Sequence, residues 1–246
     1  MNKTDLINGF KNIGLEPGMD VEVHSSLSSF GHVEGGAEAV ISALMECVGS
    51  EGSIFMPALR LSPELTLTPE DKTLGITTKI KVLPGDRQRS AMGIIADTFR
   101  MREDVCTGDG IFQISGWGRR GSEAVKGGLD HVLHNGGKAL LLGVDIYKLT
   151  AMHYVEGLIP PDISAISAPS EEVNRVYPPE EWFIETGRVP ELGWYKIQNA
   201  ALERGIIRRQ KIGECPAMFF DLWAVVGMYE QALKTDPYAL FGVKKP

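Results

Sequence analysis

The most constraining stretch of the chain is Ala139-Leu140-Leu141-Leu142-Gly143-Val144, an apolar run with Gly136-Gly137 just ahead of it. A short apolar run bounded by glycines reads as a strand buried on both faces, the mark of a parallel sheet covered by helices. Polar residues Asp145 to Lys148 then carry the chain out of the sheet. Thr150 is placed to cap a following helix by accepting a backbone N–H of its first turn. That helix would carry Thr150, His153 and Glu156 at steps of three, roughly on one face. The end of a strand in an open α/β sheet is where such folds place their chemistry.

Hydroxyl, imidazole and carboxylate in a row admit two readings from spacing alone: packing residues, or a catalytic set. Two ligands three apart can also share a metal ion, but such a site needs a third and a fourth ligand. The nearest histidines, His131 and His134, precede the strand and lie toward its opposite end. No metal is expected.

At 246 residues the chain can form one large α/β domain or two small ones, and 43% hydrophobic content supplies a core. No apolar run is long enough to span a bilayer. The start, MNKTDLINGF, lacks the features of a signal peptide, so a cytoplasmic protein without a membrane partner is expected. The three cysteines, Cys47, Cys106 and Cys215, are odd in number and far apart, which argues against a disulfide framework or a zinc pairing. Cys47 falls in an apolar helix pattern and reads as core. A net charge of −7 disfavours a nucleic-acid partner, despite local basic clusters at Arg87-Gln88-Arg89 and Arg204 to Lys211. It weakly favours a cationic small molecule.

From the N-terminus, residues 3 to 13 read as a helix with Thr4 as its cap and Gly14 as its stop. Val21-Glu22-Val23-His24 alternates as a strand. A hydroxyl-rich loop, Ser25 to Gly31, leads through Gly35-Gly36 into a helix from Ala37 to Val48, then a strand from Ser53 to Pro57. Paired glycines before a helix either let an anionic ligand approach the backbone or simply make a tight turn. The spacing is neither GxGxxG nor a P-loop. Residues 60 to 90 read as one long irregular connection, of the kind that is often functional. Met92 to Arg100 reads as a helix, Cys106 to Ile114 as extended, and Gly118 to Gly128 as loop with a short helix. Pro169 to Val189 reads as a lid or as edge strands, Trp194 to Gly205 as a helix, and Arg208 to Cys215 as a strand. Ala217 to Lys234 reads as the best helix of the chain, with Trp223 and Tyr229 in its core or on a dimer face. No repeat, low-complexity tract or linker is found, so one domain is the simplest organisation.

Three segments together resemble the aminoglycoside 3-N-acetyltransferase, or antibiotic N-acetyltransferase, family. They are Val23-His24-Ser25-Ser26-Leu27 with Gly31 to Ala37 and Gly49 to Pro57; Met92-Gly93 to Phe99 with Ser115-Gly116-Trp117-Gly118; and Leu140 to Val144 with Thr150, His153 and Glu156. The ending around Leu233 to Leu240 also fits, so the likeness covers nearly the whole chain. The resemblance implies a single domain over 1–246 of α/β class, with a central mixed β-sheet flanked by helices on both faces. It implies acetyl transfer from acetyl-CoA to an amine, in the family the 3-amino group of an aminoglycoside, and hence antibiotic resistance. Carried over by position, His24, Ser25, Ser26, Leu27, Val33, Gly35, Gly36 and Ala37 would line the pantetheine and pyrophosphate of CoA, with Ser115 near the phosphates. His153 would be the general base, Glu156 its partner, and Thr150 would sit beside the thioester. Two departures bear on the phosphate contacts: Ile111-Phe112 stands where many members carry His-Pro, and Gly108 replaces a basic residue.

The residue types suit that chemistry. An amine attacks a thioester only when unprotonated, and an imidazole near neutrality can take its proton as the bond forms. A carboxylate can fix the tautomer, and a hydroxyl or backbone N–H can stabilise the oxyanion. Direct transfer without an acyl-enzyme is expected. The alternatives are a non-antibiotic amine as acceptor, or a CoA-binding protein without turnover. The oligomeric state stays open, a homodimer included.

Overall fold

The computed structural model describes residues 1–85, 89–187 and 189–246; Arg87 and Gln88 of the basic cluster lie outside them. Nine strands are described: β1 Asp20–Ser25, β2 Ser53–Pro57, β3 Thr78–Lys81, β4 Cys106–Thr107, β5 Ile114–Gly118, β6 Lys138–Leu142, β7 Trp182–Glu185, β8 Arg208–Ile212 and β9 Cys215–Asp221. Seven form a mixed sheet in the order β4-β5-β2-β1-β6-β9-β8. β1 is central and parallel to both neighbours, β2 and β6, while β5 and β9 run antiparallel outside them. The chain leaves β1 toward β2 on one side and later returns to lay β6 on the other. The carboxyl end of β1 is thus a topological switch point, where open α/β sheets form a crevice.

Helices cover both faces, as a doubly buried sheet requires. Along β6, Leu140 and Leu142 join the core beneath helices Lys3–Ile13 and Gly36–Val48. Ala139 and Leu141 join the opposite core, beneath helices Leu129–His134 and Leu222–Thr235. All four are fully buried, so each leucine contributes roughly 1.5–3 kcal/mol of transfer free energy. Cys47 is buried in the first core, and Tyr229 is buried in the second while Trp223 stays 39% exposed.

β1 departs from what its alternation suggests. Alternating polar residues usually face solvent, yet Asp20, Glu22 and His24 are all buried, because a central strand has no solvent face. Asp20 is met by the Arg120 guanidinium at 2.7 Å.

Several elements differ from expectation for local reasons. Asn2, not Thr4, caps the first helix, in a reciprocal capping box with Asp5. Residues 217–221 continue β9 rather than opening the last helix. Met218 and Phe220 fill one core and Ala217 and Phe219 the other, and Asp221 caps the helix by accepting from Ala224 N–H at 2.9 Å. The stretch 60–85 is not wholly irregular. It contains helix Pro69–Thr73 and β3, and β3 pairs antiparallel with β7 in a second, two-stranded sheet. β7 is therefore not an edge strand of the main sheet. Lys79 of β3 bridges to Asp71, and Tyr177 donates to the same carboxylate. Among the described residues no helix is long and apolar enough to cross a membrane.

Candidate active site

A cavity of about 550 Å³ opens at the carboxyl ends of β1, β2 and β6. His24, Ser25, Ser26 and Leu27 form part of its wall, with Pro57 after β2 and Val144 after β6. Ser26 N–H donates to Leu142 O at 2.8 Å, which ties the loop after β1 to the end of β6. Gly143, at φ +70°, makes the turn out of β6. A Cβ there would lie 1.9 Å from Ser29 Oγ, so no side chain fits. Two cations, Arg89 and Lys148, also line the cavity, and among the described residues neither has a carboxylate partner.

The segment after β6 is not the α-helix its spacing suggests. Thr150–Leu158 runs as a 3₁₀ helix, and Thr150 makes no side-chain cap. In 3₁₀ geometry, side chains three apart eclipse one another. Thr150, His153 and Glu156 therefore stand in one row, more tightly aligned than on an α-helix. His153 Nδ1 and Glu156 Oε2 are 2.6 Å apart, with His153 60% exposed. With Nδ1–H donated to the carboxylate, Nε2 is the bare nitrogen turned outward. The imidazole stands edge-on to Trp194 at 4.9 Å, and Trp194 in turn lies edge-on to Tyr229. Burial pushes the Tyr229 phenol well above its usual range, a nearby Trp194 indole N–H pulls it down, and the Glu156 charge raises it.

The start of this run is held from β1. Thr150 N–H donates to His24 Nε2 at 3.3 Å, and Ala151 N–H donates to Glu22 Oε1 at 3.3 Å. Glu22 Oε1 and His24 Nε2 are 2.7 Å apart. Two side chains of a buried strand thus meet backbone N–H groups that a helix start leaves without internal partners.

The other sequence-derived residues lie elsewhere. Val33 and Ala37 pack into the first core, and Gly35 and Gly36 make the left-handed turn into helix Gly36–Val48. None of the four is part of the cavity wall described above. Ser115 is fully buried in β5 and shares a hydrogen bond with Thr107 Oγ1 at 2.7 Å. Its place is fixed by the pairing of β5 with β2, opposite Met56. Glu22, Arg89 and Lys148 escaped sequence reasoning. The signal for Glu22 was a carboxylate inside a strand that later proves central; Arg89 belongs to the basic cluster noted in the sequence, and Lys148 ends the 3₁₀ turn Ile146–Lys148 after β6. Burial raises the thiols of Cys47 and Cys215, while Cys106 Sγ donates to Gly116 O. Among the described residues, no three His, Cys, Asp or Glu side chains gather as a metal site.

Aminoglycoside N(3)-acetyltransferase III of Serratia marcescens is 29% identical over 171 residues, covering 60% of this chain and 61% of that protein. The curated relatives are matched over less than two thirds of their own length. Among solved structures, a His→Ala variant of aminoglycoside acetyltransferase AAC(3)-IVa in complex with gentamicin superposes with a TM-score of 0.74 at 19% identity, covering 97% of this chain and 90% of that one. The binary complex of AAC-IIIb with CoASH does so with a TM-score of 0.70 at 20% identity, covering 100% and 99%. A family model described as aminoglycoside 3-N-acetyltransferase matches residues 23–234, and the chain belongs to that family.

Proposed function

We propose that the chain transfers the acetyl group of acetyl-CoA to an amine, with the 3-amino group of an aminoglycoside as acceptor. The observation that carries this reading is the His153–Glu156 pair, set on a 3₁₀ run whose start is anchored beside a cavity at the sheet's switch point. Support comes from the neighbours in complex with CoASH and with gentamicin.

On this reading the cavity takes the slender pantetheine arm between the hydroxyl-bearing loop after β1 and Val144. Arg89 and Lys148 supply cations for the phosphates. His153 Nε2 accepts the amine proton as nitrogen attacks the thioester carbonyl; the tetrahedral intermediate then collapses with breakage of the C–S bond, and the imidazolium returns that proton to the departing CoA thiolate. Glu156 holds the other ring proton and stabilises the imidazolium that forms. Thr150 stands in the same row, so its hydroxyl is suited to donate to the developing oxyanion. Two of the three thiols are buried and raised, which favours direct transfer over an acyl-enzyme. An exposed, acidic-partnered imidazole also suits a cationic acceptor.

The test is product analysis. The purified chain is incubated with acetyl-CoA and a panel of aminoglycosides and simpler amines, and NMR locates the acylated nitrogen. Acetylation at the 3-amino group supports the full reading. Acetylation of another amine alone keeps the transfer and removes the antibiotic acceptor. Tight CoA binding with no product across the panel leaves a binding protein.

A further inference from the structure

The base of the proposed chemistry is an exposed side chain, and its hydrogen bond alone does not fix it. His153 is 60% exposed and is held at one atom, Nδ1, 2.6 Å from Glu156 Oε2. A ring held at one atom still swings about that contact, and exposed side chains change rotamer in picoseconds to nanoseconds. Exposed ion pairs also hold weakly. Proton transfer needs Nε2 kept in line with the reacting nitrogen, and a misplacement of about 1 Å can cost on the order of 10²-fold in rate.

A second hold comes from a helix far along the chain. Trp194 lies on helix Val189–Glu203, and its ring meets the His153 imidazole at 4.9 Å between centroids and 75° between planes. That is the edge-to-face geometry aromatic rings prefer. The indole is a fixed wall: it is 3% exposed and meets the fully buried Tyr229 edge-on at 6.4 Å. The same helix is tied to the segment that leads from β6 to His153. Gln198 accepts Ile146 N–H at 3.0 Å, and Tyr195 donates to Asp145 Oδ2 at 3.1 Å. The Trp194 N–H is buried without a hydrogen-bond partner among the described residues, so what the helix presents to His153 is the ring.

We propose that Trp194 is a positioning residue: its indole, together with Glu156, fixes the plane of the His153 ring and so the direction of Nε2. Glu156 holds the ring at one atom, and the indole stops its swing about that atom. Trp194 takes no part in bond making and acts through His153. The catalytic use of Nε2 rests on the acetyl-transfer reading above, whereas the hold on the ring does not.

The test is ¹³C relaxation at Cε1 of labelled histidine in the full chain, His153 being assigned by its loss from His153→Ala, together with steady-state kinetics. In the wild type without substrates, the His153 ring is expected to be as ordered as that of the buried His24, despite its exposure. Trp194→Met fills much of the space with a flexible chain and removes the ring. It is expected to release the His153 ring and lower kcat about 10–100-fold, with the KM for acetyl-CoA within about twofold of the wild type. Trp194→Phe puts a ring back and is expected to recover most of the order and the rate. Thermal melting checks that both variants fold. A mobile His153 ring in the wild type overturns the proposal without recourse to any variant. So does a Trp194→Met protein that melts earlier but keeps the ring order and kcat of the wild type, the result expected of a tryptophan that only fills the core. A Trp194→Phe protein as slow and as mobile at His153 as Trp194→Met overturns it too. An ordered ring that Trp194→Met releases, in a chain that transfers no acetyl group, overturns the acetyl-transfer reading instead and supports the hold of Trp194 on the ring.

Discussion

The molecule carries two histidine–glutamate pairs of opposite character. Glu22 and His24 are buried in the central strand, whereas His153 and Glu156 stand on the surface of a 3₁₀ run, 60% and 26% exposed. The buried pair meets through Nε2 and the exposed pair through Nδ1. A carboxyl group in a dry core is costly, and Glu22 is only half used: Oε1 is shared between the His24 ring and a backbone N–H, while Oε2 is buried without a hydrogen-bond partner. An exposed pair contributes little to stability and is free to exchange protons. On the proposed function, the same two residue types serve architecture in one place and chemistry in the other.

The largest effect expected is His153→Ala, which should lower the rate of acetyl transfer by about 10²–10⁴-fold, the usual share of a general base. Steady-state kinetics beside a thermal melt checks this, and the melt should barely move.

Glu22→Ala should destabilise the fold by about 3 kcal/mol, since it strips the hydrogen-bond partner from the buried His24 ring and the acceptor from Ala151 N–H. Glu156→Ala should cost no more than about 1 kcal/mol. Paired urea titrations measure both, and equal losses would erase the distinction between the pairs.

Next in size, Lys148→Ala and Arg89→Ala should each weaken CoA about tenfold, with a salt dependence shallower than that of the wild type. Calorimetry at two ionic strengths reads it.

The smallest effect concerns the two-stranded sheet. Burial pushes the Asp71 carboxyl up, but hydrogen bonds from Tyr177, Thr68 and Lys79 and the Lys79 charge outweigh it and hold it at about 2. A carboxyl depressed in the fold contributes stability above its unfolded value of 3.8 and loses it as pH falls toward 2. Tyr177→Phe should raise that pKa and move the acid loss of the small sheet to higher pH. Acid titration followed by Trp182 fluorescence, close to Tyr177, detects the shift.

Much of the fold was legible because its signals are local. The run Ala139 to Val144 announces a doubly buried strand, and His153 to Glu156 is a one-turn spacing that survives the change from α to 3₁₀. What escaped depends on partners distant in sequence. Met218 to Phe220 fit helix or strand equally until β6 and β8 pair with them. The alternation of Val21 to His24 suggests a solvent face until β2 and β6 close around it. Ser115 has the right neighbours in sequence; register with β2 buries it opposite Met56, and it is not among the residues that line the cavity.

The most direct measurement is rapid mixing of the wild-type chain with acetyl-CoA, following free thiol, before and after addition of an aminoglycoside with a 3-amino group. The account predicts no thiol burst from enzyme and acetyl-CoA alone, and steady release once the amine arrives. A burst matching the enzyme concentration without amine would mean an acyl-enzyme, and no release with any amine would mean no transfer. Either result contradicts direct transfer with His153 as base.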